Sequence, residues 1–214
     1  MEIAISSVTN GEEEFEMLNL RKEVFETELG IVVDSLCGLA QKQAQHLLVH
    51  AEPCREAVAC MSLVDTSDDH QLHRRYGLNF APQARIARYA QLAVARPYRG
   101  LGIPLMLILE AHRRYAVAKR FDYTWLLYQA ERAAGSSFCR LLDFVPSDNR
   151  FQSEWGDSRI LLRDESAAGS TSATRRAERH LQRFLESYSL SVRFEPDGRS
   201  SERSLPGARE LGAA

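Results

Sequence analysis

Between Gln91 and Ala111 the chain passes from an apolar strand, Gln91-Leu92-Ala93-Val94, through a glycine turn, Arg99-Gly100-Leu101-Gly102-Ile103, into an apolar helix that begins Leu105-Met106-Leu107-Ile108. No other stretch constrains the fold as strongly. A strand that ends in a short glycine turn and runs into a helix aims several N–H groups without intrahelical acceptors at one point. The helix dipole adds positive potential there, so the turn is an anion site suited to a phosphate. Glycine lets the backbone approach such an anion with no Cβ in the way.

The surrounding chain narrows the class. Its 214 residues are 44% hydrophobic and 26% charged, with a formal net charge of −2, which suits one α/β domain with a sizeable core. That near-neutral balance argues against nucleic acid as a partner, because such proteins carry a strongly basic face. No apolar run approaches the ~20 residues of a membrane span. The opening Met1-Glu2-Ile3-Ala4-Ile5 lacks the regions of a secretory signal. Cys37, Cys54, Cys60 and Cys139 form no CxxC pair and read as reduced thiols of a cytoplasmic protein without a zinc site. His46 and His50 share a strand face and His70 and His73 sit in a polar stretch; neither pair makes a metal constellation.

Periodicity predicts a helix over 12–30, with Phe15, Leu18, Val24, Phe25 and Leu29 on its apolar face and Gly30 as its stop. Strands follow at 45–51, 57–64, 84–94 and 123–128, with a polar excursion over 65–83. Helices are expected at 103–120 and 132–142, and a closing hairpin at 150–163 turning near Trp155-Gly156-Asp157. Residues 1–164 read as one domain and 165–173, small and polar, as a linker. Residues 174–196 read as a charged helix with a possible edge strand, covering either its own domain or a second subunit in a homodimer. Residues 197–214 read as a disordered tail.

The run L-A-V-x-x-x-Y-R-G-L-G-I resembles the central motif of the GCN5-related N-acyltransferase (GNAT) superfamily. The resemblance implies an α/β fold of the α+β kind, with a mixed central sheet splayed at an acyl-thioester site and flanked by helices. It implies acyl-CoA or a phosphopantetheine-bound acyl donor as co-substrate. Residues matching Leu92, Ala93 and Val94 pair with the pantetheine arm, and the turn and helix start at Arg99, Gly100, Leu101, Gly102, Ile103 and Leu105 hold the phosphates. Pro104 stands where the family has Gly or Ala. Proline fits the first turn of a helix but removes one N–H donor. Two readings stay open: a donor on an acyl carrier protein, which presents a single phosphodiester, or CoA bound despite the proline.

Leu20-Arg21-Lys22-Glu23-Val24-Phe25-Glu26-Thr27-Glu28-Leu29-Gly30 resembles the opening helix of one branch of the superfamily, the N-acyl amino acid synthases and acyl-homoserine lactone synthases. In that branch residues matching Arg21 and Phe25 help shape the acceptor and acyl pocket; Phe25 also reads as a plain core residue. The lactone synthases follow this helix with an acid-dense loop, whereas residues 31–38 carry one acid, Asp34. This argues against homoserine lactone synthesis and leaves the acceptor open.

Acyl transfer to an amine requires loss of an amine proton, stabilisation of the tetrahedral oxyanion, and protonation of the departing thiolate. Splaying of the strands after Val94 would leave backbone N–H groups to bind the pantetheine amides as an added strand and to face the thioester carbonyl. Many family members carry a Glu base on the central strand, but Arg85 to Gln91 holds no carboxylate. Arg88 and Tyr89 fall on opposite faces by strand period. Arg88 either holds a substrate carboxylate or pairs with a nearby acid; Tyr89 either relays a proton through water or packs.

The family's F-Y-x-x-x-G-F segment, whose tyrosine protonates the thiolate, matches Phe138 and Phe144, with Cys139 in the tyrosine's place and Asp143 in the glycine's. With a reference pKa of ~8.5 against ~10 for tyrosine, Cys139 is either a proton donor, a nucleophile, or a small apolar filler. In this family the closing hairpin lines the acceptor side; Glu154 is there either the best available carboxylate base or a solvated turn residue, and Trp155 would contact the acceptor. The reading is therefore an acyltransferase forming an amide from an acyl thioester and a small-molecule amine. A non-catalytic thioester-binding or regulatory module is the alternative.

Overall fold

The computed structural model describes residues 1–31, 44–116, 120–133, 136–153, 156–165 and 170–195. The first strand, β1 (Glu2–Ser7), was not anticipated from sequence; Ile3 and Ile5 are fully buried in it. Helix α1 (Gly11–Lys22) follows. Asn10 caps it, accepting from the N–H groups of Glu12 and Glu13 at 3.0 and 2.9 Å, and Glu12, Glu13 and Glu14 complement its dipole. A wide π-type turn, Glu23–Glu28, extends it, and the chain then leaves through Gly30 at φ 69°.

The buried stripe of this helical segment is Met17, Leu20, Arg21, Val24 and Phe25, spaced i, i+3, i+4, i+7, i+8. Phe15, Leu18 and Leu29, expected on the core face, are exposed instead. Hydrophobicity alone misplaces the stripe because an arginine occupies one of its positions.

Strands β2 (Ala44–Ala51) and β3 (Glu56–Asp65) form the expected hairpin, followed by a short helix α2 (His70–Arg75) within the polar excursion. Strand β4 (Ile86–Val94) leads to α3 (Ile103–Ala111), which continues as a wide turn over His112–Ala116. Then come β5 (Tyr123–Gln129), α4 (Ser137–Leu142), β6 (Val145–Ser153) and β7 (Gly156–Asp164). Helix α5 (Ser170–Ser187) and β8 (Ser191–Phe194) end the described chain.

Eight strands form one mixed sheet in the order β6-β7-β5-β4-β3-β2-β1-β8. One face carries α1 over Leu48, Cys60 and Ala93, with a second apolar cluster of Leu72, Tyr76, Ile86 and Trp125 beside it. The other face carries α3, buried along its whole length apart from the half-buried Pro104, over Ala87, Tyr89, Leu126 and Leu161.

Helix α5 packs on α3 and α4, and it starts at Ser170, inside the stretch read as linker. Ala173 and Ala177 are fully buried there, with Leu181 and Leu185 against the same core. β8 then pairs in parallel with β1, Glu2↔Ser191 to Ile5↔Phe194. A buried polar knot pins this region. Thr124 Oγ1 donates to Glu165 at 2.6 Å, Arg163 lies 3.4 Å from Glu165, and Arg163 also donates to Thr174 of α5 at 2.9 Å. Among the described residues no helix is long and apolar enough to cross a membrane.

Candidate acyl-donor site

The site begins with a mismatch between two strands. β3 and β4 pair at Ala59↔Val94 and Cys60↔Ala93, then at Ser62↔Ala90, so Gln91 and Leu92 together oppose Met61. Gln91 takes φ 53°, and this bulge bends β4 and increases its twist. Alternation shifts with it. Ala87 and Tyr89 before the bulge, and Leu92 and Val94 after it, lie on the α3 side, whereas Ile86 and Ala93 lie on the other.

Parallel pairing of β4 with β5 is confined to Ile86↔Tyr123, Ala87↔Thr124 and Arg88↔Trp125. The strands therefore part after Arg88, not after Val94 as expected, because the bulge turns β4 aside before its end. Beyond Arg88 the described residues of β4 and β5 share no ladder pairs, a gap that an extended amide chain can join as an added strand.

At the outer end of the wedge a short 3-10 turn (Arg96–Tyr98) delivers the chain to the glycine turn. Gly100 and Gly102 have φ 86° and 72°, values that strain any residue with a Cβ. The Gly102 carbonyl accepts from the N–H groups of Leu105 and Met106 at 3.0 and 3.1 Å, and Pro104 has none to offer. Among the described residues nothing accepts from the N–H groups of Gly100, Leu101, Gly102 or Ile103. Four donors thus remain in spite of the proline.

The side chain of Arg99 is engaged differently from the resemblance. Its Nε donates to the Val94 carbonyl at 2.9 Å and its Nη2 to Glu28 at 2.5 Å, fastening the turn to the end of β4 and to the α1 segment. Backbone, not guanidinium, is what the turn leaves open to an anion.

Across the sheet, on the α1 side, lies a buried polar group that sequence reading did not assemble. Arg21 is 2% exposed and donates from Nη2 to Ser62 Oγ at 2.6 Å. Ser62 is also 2.7 Å from Nδ1 of His46 and donates to Gln91 Oε1 at 3.4 Å. No acid among the described residues pairs with Arg21, and its Nε has no hydrogen-bond partner. Burial first, and the Arg21 charge second, lower the His46 pKa to about 4. A buried cation without a counter-ion is costly and marks a place where an anion would be welcomed. His50 stands apart from this group and meets Glu16 of α1 at 2.9 Å. Phe25 is buried in the neighbouring cluster with Cys60 and Ala93, and Arg88 stacks over Trp125 at 4.9 Å.

The histidines carry a pH consequence. His46, His73 and His112 all have pKa values lowered chiefly by burial, so they are neutral in the folded chain. An unfolded histidine takes a proton near ~6.5. Stability is therefore unaffected above that value and falls as pH drops below it. With His46 titrating at about 4 when folded, its share of that loss is already present at pH 5. Urea unfolding at pH 7.5 and pH 5 should show a lower midpoint at pH 5, and His46→Gln should recover about that share. An unchanged pH dependence in the variant would refute this assignment.

On the α3 side, Cys139 is half-buried in α4, and its thiol donates to the Ala133 carbonyl at 3.1 Å. Phe138 beside it meets the ring of Tyr128 edge-on at 5.7 Å. Tyr128 lies on β5 beyond its last residue paired with β4, on the same apolar cluster as Leu92 and Cys139. No hydrogen-bond partner of its hydroxyl occurs among the described residues. Nothing local in the sequence distinguished Tyr128 from the other aromatics of its strand; where β5 separates from β4 decides it.

Tyr89 is buried against Phe144, and burial together with Glu165 pushes its phenol well above the ordinary range, so it keeps its proton. Glu154 and Trp155, read as base and acceptor contact, lie outside the described residues.

No family model matches the chain, and no curated protein does. Solved structures do. An acyl-CoA N-acyltransferase from Pseudomonas aeruginosa is similar with a TM-score of 0.59 at 17% identity, over 75% of this chain and 99% of that one. FeeM, an N-acyl amino acid synthase from uncultured soil microbes, gives 0.54 at 11% identity over 76% and 89%. The CoA-dependent acyl-homoserine lactone synthase BjaI gives 0.57 at 13% identity over 90% and 93%.

The chain thus has the fold of the GCN5-related N-acyltransferases, as its central motif implied. Two of these neighbours are from the synthase branch that the opening helix resembles. The match to BjaI must extend past β7, which ends at residue 164 of 214.

Proposed function

We propose that this protein is an N-acyltransferase. It moves an acyl group from a phosphopantetheine thioester, free in CoA or carried on an acyl carrier protein, to the amine of a small metabolite bearing a carboxylate. The observation that carries this reading is the wedge between β4 and β5 with four free N–H groups at its outer end. Solved neighbours with acyl-CoA N-acyltransferase and N-acyl amino acid synthase activities support it.

In this reading the phosphate rests on the N–H groups of residues 100–103, and the pantetheine amides pair with Leu92, Ala93 and Val94 along β4. Leu105, behind the turn, packs α3 onto the sheet. The amine attacks the thioester carbonyl, the carbonyl electrons collect as an oxyanion facing a free β4 N–H, and collapse breaks the C–S bond. Tyr128 protonates the departing thiolate, the role the family's tyrosine fills at the position of Cys139. The proton released by the amine leaves through water and restores the phenol. The acceptor's carboxylate lies against the Arg21 guanidinium, which pairs with no acid among the described residues.

Mixing protein, acyl-CoA or acyl carrier protein, and a panel of amino acids should release free thiol. Tyr128→Phe should lower kcat by about 100-fold with little change in KM, in the range of a lost general acid. Donor binding with no thiol release across the panel would refute the enzyme reading and favour a thioester-binding module.

A further inference from the structure

Helix α5 brings a feature to the phosphate turn that the acyl-transfer reading does not use. Phe184 of α5 and Tyr188, one residue past its end, have ring centroids 4.5 Å apart and planes tilted by 31°. A Cβ placed on Gly102 would meet the Phe184 ring at 3.3 and 3.4 Å, so this ring borders the turn. Tyr188 is 57% exposed. Leu181 and Leu185 already hold α5 on the core, and neither aromatic belongs to that cluster. On the same helix Arg179 and Arg183 are exposed and have no acidic partner among the described residues.

We propose that Phe184 and Tyr188 form the platform for the adenine ring of CoA, which makes the donor a free CoA thioester; this rests on the acyl-transfer reading. In CoA the diphosphate is followed by a phosphorylated ribose and then the base. With the diphosphate on residues 100–103, the base lies one ribose beyond the turn, where α5 stands. A purine face stacks readily on paired aromatic rings. A donor on a carrier protein has no adenine, and its protein surface would have to approach a turn that α5 already borders.

Calorimetric titration of the full chain with CoA and with 4′-phosphopantetheine tests this. Native protein should bind CoA about tenfold more tightly, the range of one stacked base. Tyr188→Ala, on an exposed side chain, should bring CoA to the affinity of phosphopantetheine while leaving the latter unchanged; Phe184→Ala should act likewise. Equal affinities in the native protein, or a variant that weakens both ligands equally, would overturn the platform and leave acyl transfer from a carrier protein standing. Failure of both ligands to bind native protein would overturn the acyl-transfer reading as well.

Discussion

Valine in place of Gly102 should weaken the binding of CoA and of phosphopantetheine alike by about 100-fold, the equivalent of about 3 kcal/mol or two charge-assisted hydrogen bonds. Gly102 sits at φ 72° as the cap of α3. A β-branched residue there is a conformational outlier costing about 1–2 kcal/mol. Its Cβ would also lie 3.3 Å from Phe184 and 3.7 Å from Leu181. The turn escapes by rotating to negative φ, which swings the Gly102 and Ile103 N–H groups out of convergence, or by pushing α5 away.

Gly100→Ala separates strain from crowding. Its φ is also positive, at 86°, but nothing lies within 4 Å of a Cβ there. This variant should lose far less, about 1 kcal/mol of stability, and keep most of its affinity. Calorimetry with both ligands, alongside urea midpoints, reads the two effects apart. Native affinity in Gly102→Val would mean that the turn does not bind phosphate.

Much of this arrangement was legible because it is local. Strand, glycine turn and helix follow one another within about twenty residues, and each signals its own type. The bulge that opens the wedge was not legible. It arises from a count mismatch between β3 and β4, and the residue taking the left-handed conformation is Gln91, with no glycine to mark it. Helix α1 was found, but its phase was not. Phe15 and Leu18 outrank Arg21 on any hydrophobic scale, and only the packed sheet selects Arg21 for burial.

The same holds for what distant segments build together. β1 gains its place by pairing with β2 and with β8, the latter nearly the whole chain away in sequence. Arg21, His46 and Ser62 come from three elements and read separately as a charged helix residue, a strand histidine and a strand serine.

Arg21 supplies the sharpest test of what that group is for, because its two possible roles predict opposite results. If the guanidinium is structural, its loss should unfold the α1 face. If it awaits a substrate carboxylate, the free protein carries an unpaired buried charge, and removing that charge should not cost stability. We expect Arg21→Met, similar in length and apolar, to unfold at an equal or higher urea concentration. His46, relieved of the neighbouring cation, should titrate above its native value of about 4, a shift visible by NMR of its ring.

Function should move the other way. KM for an amine bearing a carboxylate should rise about 100-fold, within the 2–5 kcal/mol range of a truncated buried ion pair. KM for the same amine as its methyl ester should stay nearly unchanged. A uniform rise for both amines, or a large drop in the urea midpoint, would assign Arg21 to the core and leave the acceptor's carboxylate without a site. A stable variant that has lost the acid but kept the ester ties the only buried guanidinium of α1 to the substrate.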